Sequence, residues 1–149
     1  MKLFNLGKSK NKSGPKSKAE IVAAAGVTAG CLALVFVMMF LVGDVTSFGE
    51  DGITVSGTLS GSEEVLYGDI ESVELRSGID YGSRDFGFGG KKFLGGTFSN
   101  NEFGSYKLYV YAGNKDAVVV KYSGGQVLCF NLKTEEETED AYKGLLSKI

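Results

Sequence analysis

Residues 117–149 read AVVVKYSGGQVLCFNLKTEEETEDAYKGLLSKI, and this stretch decides the fold class. Val118-Val119-Val120 is an unbroken β-branched run, the pattern of a strand buried on both faces. Gly124-Gly125 turns the chain tightly into a second strand, Gln126 to Asn131. The period then changes. Thr134-Glu135-Glu136-Glu137 has the form of a capping box, with Thr134 as N-cap and Glu137 reaching back to its amide. The three acids suit the positive end of a helix dipole, and Lys143 and Lys148 suit the other end. Ala141, Leu145 and Ile149, with Thr138 and Tyr142, share one face at helical spacing. Strands closed by one amphipathic helix are therefore expected.

Working back toward the N-terminus, five more strands are expected. Tyr106 to Tyr111 is aromatic and β-branched, and Thr97-Phe98 precedes it across a turn at Asn100 to Gly104. Asp69 to Leu75 and Glu63 to Tyr67 are short strands separated from the first by a Gly61-Ser62 turn. In that first strand Ile53, Val55 and Leu59 alternate with Thr54, Ser56 and Thr58, and Gly57 marks a bulge or a close backbone approach. Residues 76–96, RSGIDYGSRDFGFGGKKFLGG, are read as an irregular glycine-rich loop anchored by Phe86, Phe88, Phe93 and Leu94.

Ahead of this domain lies IVAAAGVTAGCLALVFVMMFLVG, residues 21–43, without a charge. At about 1.5 Å per residue, roughly 20 apolar residues cross a hydrocarbon core about 30 Å thick. The run is read as a retained transmembrane helix, residues 1–20 as a disordered basic tail, residues 44–51 as a linker and residues 52–149 as the β domain. The rival, a cleaved lipoprotein signal at Thr28-Ala29-Gly30-Cys31, is weakened because the residues after Cys31 stay apolar up to Gly43. The tail holds Lys2, Lys8, Lys10, Lys12, Lys16 and Lys18 against Glu20 alone, so it is expected in the cytoplasm and the domain outside it. Asn11-Lys12-Ser13 is a chance match to a glycosylation acceptor.

Composition narrows the chemistry. The chain has no histidine, which removes the Ser-His-Asp triad, the Cys-His pair and imidazole metal ligands. Of two cysteines, Cys31 lies in the apolar run and Cys129 in a strand, so the domain folds without a disulfide. Cys129 alternates with apolar neighbours and reads as a small buried hydrophobe. Residues 44–149 hold 17 of the 18 acids and 10 of the 16 bases, a net charge of −7. These carboxylates read as solvated surface charge; neither a glycosidase pair across a cleft nor a calcium loop is apparent.

The segments Gly52–Gly57, Tyr67–Leu75, Leu94–Phe98, Phe103–Val110, Val118–Val120 and Gln126–Asn131, with the final helix, resemble the small bacterial pleckstrin-homology (PH) domains of membrane-anchored proteins. The resemblance spans roughly residues 50–149 and implies a mainly β fold, a seven-stranded PH-like barrel with one C-terminal helix. It carries over no ligand and no catalytic residue. Eukaryotic PH domains take inositol phosphates in a basic pocket between the first strands. Here that region bears Glu50, Asp51, Glu63, Glu64 and Asp69, with no base between Lys18 and Arg76, so phosphate would be repelled.

Gly87-Phe88-Gly89-Gly90-Lys91-Lys92 lacks the following helix that a phosphate loop needs. It is better read, with Tyr81, Arg84 and Phe86, as a partner-binding loop of aromatic and basic side chains: Tyr81, Arg84, Phe86, Phe88, Lys91 and Lys92. The expected function is a non-enzymatic interaction or scaffolding module, single-pass in the cell membrane. It would have the lipid bilayer and a protein as partners, and no cofactor, metal or nucleic acid. The alternative is a small-ligand-binding or sensing domain at the membrane surface.

Overall fold

The structure, a computed structural model, describes residues 45–57 and 59–149, together with residues 18, 19, 22, 26, 27 and 29–31. The chain divides into two units, residues 1–41 and 42–149. The basic tail, apart from Lys18 and Ala19, and most of the expected membrane helix lie outside the described residues. Among the described residues, no helix is long and apolar enough to cross a membrane.

The second unit is mainly β. Its strands are β1 (Val45–Phe48), β2 (Gly52–Gly57), β3 (Gly61–Leu66), β4 (Ile70–Ser77), β5 (Ser83–Gly89), β6 (Phe93–Asn100), β7 (Gly104–Tyr111), β8 (Asp116–Tyr122) and β9 (Gln126–Phe130), followed by α1 (Glu135–Leu146). All seven expected strands are present, and two more are found. The segment read as a linker contains β1, which pairs with β2 from Val45↔Ser56 to Phe48↔Ile53. The segment read as an irregular loop contains β5.

The sheets do not close into the expected barrel. One has the order β1-β2-β3 and the other β4-β8-β9-β7-β6-β5. The reason lies at Tyr67–Asp69, a 3-10 turn that redirects the chain after β3. Asp69, expected to open the Asp69 to Leu75 strand, therefore sits in this turn, and β4 begins at Ile70. β4 leaves this turn to pair with β8 rather than with β3.

β9 enters between β7 and β8, antiparallel to β8 and parallel to β7. Its alternate residues fill two different cores. Leu128 and Phe130 join Tyr109, Val118, Val120, Ile53, Val55, Val65, Ala141 and Leu145, so this face is covered by the smaller sheet and by α1. Val127 and Cys129 join Phe98, Tyr106, Leu108, Val110, Ala117 and Val119 on the opposite face. That second face is covered by the β4–β5 connection, through Ile79 and Tyr81, and by Phe103.

Five residues, Gly78–Gly82, link the two outermost strands of the six-stranded sheet. Fully extended, six Cα steps reach about 20–22 Å. A flat sheet of that order would need about 24 Å across five strand spacings. Both end glycines have positive φ, so the link is not fully extended. The sheet must therefore curl around the second core. The Tyr106 hydroxyl donates to the Tyr81 carbonyl at 2.9 Å, and the Gly78 amide donates to the Lys115 carbonyl at 3.0 Å, pinning the link in place.

Where β9 ends, β7 and β8 remain separated by the width of a strand. The fully buried side-chain amide of Asn131 fills that gap. Its Oδ1 accepts from the Tyr111 amide at 2.6 Å, and its Nδ2 faces the carbonyls of Tyr111, Asn114 and Asp116 at 3.1–3.2 Å. Asn114 in turn donates to the Leu132 carbonyl and to Thr138 Oγ1, which ties α1 to the sheet.

The helix begins as the sequence implies. Thr134 Oγ1 accepts from the Glu137 amide and Glu137 Oε2 accepts from the Thr134 amide, both at 3.2 Å. Thr138, Ala141 and Leu145 are buried on one face. Ile149 is not part of that face: the helix ends at Leu146 and Ile149 is exposed. Leu59 is also exposed, at a turn residue with φ of 62°, rather than alternating into the core. Gly57 is a close approach and not a bulge, since a Cβ there would stand 3.0 Å from the Phe93 ring.

Asn131→Ala should destabilise the domain by about 3 kcal/mol in urea unfolding, because buried groups left without a partner cost about 1–3 kcal/mol each. Thr134→Ala should cost only about 1 kcal/mol, the usual value of an N-cap. A smaller loss for Asn131→Ala than for Thr134→Ala would contradict the bridging role.

Candidate functional site

The glycine-rich segment folds as an edge because of its glycines. β5 pairs with β6 through Gly87↔Gly96 and Phe88↔Gly95. Gly87 and Gly96 have φ of 118° and 132°, and a Cβ on either would run into the backbone of the facing strand. Only glycine allows this approach. The register shifts between Arg84 and Phe86, leaving Asp85 as the extra residue of a bulge. Ser99 Oγ donates to Asp85 Oδ1 at 3.1 Å and holds the bulge against β6.

β5 is the last strand of its sheet, so among the described residues one side of it has no neighbouring strand. Phe86 sits at its middle and is 74% exposed. Phe88 is half-buried, with its ring against Gly90. The Arg84 guanidinium lies over Gly89, in the space a side chain there would fill. Lys91 and Lys92 are exposed in the turn that follows; the Lys92 carbonyl accepts from the Ala112 amide at 3.0 Å. These five residues lie along one edge, with Arg84 on the opposite face of β5 from Phe86 and Phe88 because the bulge at Asp85 falls between them.

Tyr81 is not part of that strip. It belongs to the link beneath the curled sheet, packed on the second core. Burial pushes its hydroxyl up to about 12. The six expected site residues therefore divide into five on the β5 edge and one in the interior packing.

A second concavity was not apparent from the sequence. A groove of about 660 Å³ runs between α1 and the segment after β9, with Phe48, Tyr111, Leu132, Ala141 and Gly144 as its apolar wall. Lys133 and Lys148 stand at it beside Glu137 and Asp140. Lys148 also lies over the Tyr67 ring, 5.4 Å from its centroid. Phe48 belongs to the strand hidden in the expected linker, and the groove needs residues from distant segments. No local motif signals it.

The electrostatics otherwise describe a structural surface. Arg76 forms a bidentate pair with Glu102 at 2.5 and 3.1 Å, and this hydrogen bonding holds the Glu102 carboxyl below its usual range. Tyr122 donates to Glu63 Oε1 at 2.6 Å, joining the two sheets, and burial raises its hydroxyl. Among the described residues no group of three or more His, Cys, Asp or Glu side chains could hold a metal ion.

The chain belongs to the Bacterial PH domain family, whose pattern matches residues 45–129, more than half of its length. The matched segment runs from the first strand into the last. The chain shows no match to a curated protein or to a solved structure. Domains of this kind are generally binding modules rather than enzymes, which makes an exposed edge or groove the place to look for activity.

Cys129 is fully buried, and desolvation pushes its thiol from 9.0 up to about 12. Below pH 9 both folded and unfolded chains keep this proton. Above it the unfolded chain releases the proton first, so stability falls as pH rises toward 12. Tyr81, raised from 10.0 to about 12, acts in the same direction. Urea midpoints should therefore decline above pH 9, and Cys129→Ala should make that decline shallower. An unchanged slope in the variant would show that this thiol does not contribute.

Proposed function

We propose that the protein is a single-pass membrane-anchored interaction module. Its β domain faces outward from the cytoplasmic membrane and its basic tail faces inward. The observation that carries the interaction reading is Phe86, a large aromatic side chain 74% exposed at the centre of a strand that lies at the edge of its sheet. Exposed aromatics flanked by arginine are favoured at contact surfaces, because a ring buries much area at small entropic cost. Arg84, Lys91 and Lys92 supply positive charge within a domain whose net charge is −7, so this edge suits an apolar or acidic segment of a protein partner.

The anchoring reading rests on residues 21–43, uncharged and long enough to span, and on the lysines before them. Its consequence is specific. The full chain should remain in the membrane pellet after a high-salt wash and leave it only with detergent. Recovery in the salt supernatant would overturn the anchor. The edge is tested separately: Phe86→Ala with Phe88→Ala should abolish cross-linking to protein partners, while Lys133→Ala at the groove should leave it intact. Retained cross-linking in the double variant would remove β5 from the proposal.

A second reading has one observation behind it. The groove beside α1 has the volume and apolar wall of a small-molecule site, which commonly measures about 300–1,000 Å³. A ligand bound there would raise the melting temperature of the full chain, and the rise would keep growing with the logarithm of ligand concentration above its Kd.

A further inference from the structure

Only Asp44 separates Gly43, the last residue of the apolar run, from Val45, where β1 starts. β1 is antiparallel to β2 and pairs Val45 with Ser56. The turn between β2 and β3 therefore projects past Val45, on the side from which the chain arrives. Leu59 in that turn is 76% exposed and has φ of 62°, a conformation that usually falls to glycine or asparagine. A large apolar side chain is disfavoured there twice over, by water and by its own backbone. The turn is fixed in place: the Ser60 amide donates to the Gly57 carbonyl at 3.1 Å, and the Tyr109 hydroxyl donates to the Ser60 carbonyl at 3.4 Å.

Charge is sorted along the same sheet. From Val45 to Ser62 the only charged residues are Glu50 and Asp51, both exposed in the turn between β1 and β2. That turn stands at the other end of β2, about 17 Å from Gly57 at about 3.3 Å per residue. The gap exceeds the screening length of about 8 Å at physiological salt. Glu63 and Glu64 lie back along β3 from the Leu59 turn, and Glu63 accepts from the Tyr122 hydroxyl. On the Leu59 side, the Phe93 ring lies 3.0 Å from where a Cβ on Gly57 would stand. The residues just before Phe93 are the exposed Lys91 and Lys92.

We infer that Leu59 docks the β domain on a lipid surface, with its side chain entering the headgroup region. The inference rests on the reading of residues 21–43 as a membrane anchor and adds a second contact with the bilayer. The occupant is lipid because the apolar run ends two residues before β1, so a bilayer holding that run begins within reach of this turn. Lys91 and Lys92 suit anionic headgroups, and the acids that would oppose them are held at the far turn. One leucine binds weakly alone; the tether supplies the local concentration that makes it sufficient.

Fluorescence quenching tests the contact on the full chain. With Cys31→Ser in place, the remaining native thiol is the buried Cys129. An environment-sensitive dye is attached at Ser62→Cys, exposed beside the turn, or at Glu50→Cys, exposed at the far end. The protein is reconstituted in vesicles of phosphatidylcholine and phosphatidylglycerol carrying a spin label on a fraction of the headgroups. Quenching at position 62 should exceed that at position 50 about threefold, because the two sites lie at opposite ends of β2. Leu59→Asn, whose side chain tolerates the positive φ, should lower quenching at position 62 by about half or more. Equal quenching at the two positions, or no effect of Leu59→Asn, in protein that still floats with the vesicles in high salt would overturn the docking and leave the anchor. A dye at position 62 that is shielded from water yet not quenched would also overturn it, placing protein and not lipid over the turn. Failure to float would remove the anchor and the docking together.

Discussion

The buried amide of Asn131 is the interaction on which the domain's layout depends. A strand inserted between two others must end somewhere, and at its end the flanking strands face each other across an empty width. Here the carboxamide takes the place of one more peptide unit, accepting from Tyr111 and donating toward carbonyls of both flanking strands. A side chain without both a donor and an acceptor could not do this. Because the wedge is closed, β9 can lie in the middle of the sheet and divide its residues between two cores. The same group reaches Asn114, whose amide touches Thr138, so the position of the helix follows from the position of the strand.

The edge at β5 follows from a different constraint. Its pairing with β6 brings glycine backbones together more closely than any side chain permits. The strand is thus held by main-chain contact, and its few large side chains are spared from core packing. Phe86 projects to solvent for that reason. The bulge at Asp85 and the neighbouring Arg84 limit uncontrolled pairing, as charged and bulged edges do in natural sheets. Selectivity and exposure can then coexist on one strand: the edge is open to a partner with the right spacing and poorly suited to an arbitrary one.

Much of the fold was legible because its signals are local. Val118-Val119-Val120, the Gly124-Gly125 turn and the Thr134/Glu137 box each depend on residues a few positions apart, and each is found where expected. β5 was hidden because glycine usually argues against a strand, while here it serves the close approach to β6. β1 was hidden because Val45-Thr46-Ser47-Phe48 is only four residues long and gains its meaning from β2. The open arrangement of the sheets could not be read at all. It depends on a 3-10 turn at Tyr67–Asp69 and on a parallel pairing between β7 and β9, segments far apart in the chain. For the candidate site, the residue types were legible and their grouping was not. Tyr81 is near Phe86 in sequence yet belongs to the interior, and Phe48 reaches the groove from the opposite end of the domain.

The family pattern stops at Cys129, two residues short of Asn131. A fragment trimmed to that boundary would keep every strand but the tip of the last, and would still unzip: Tyr111 and Asp116 would lose their shared partner and Val118, Leu128 and Tyr109 their roof at Leu145. The smallest autonomous piece is therefore longer than the recognisable motif. Its C-terminal limit is set by the helix that seals the sandwich, not by the end of detectable similarity.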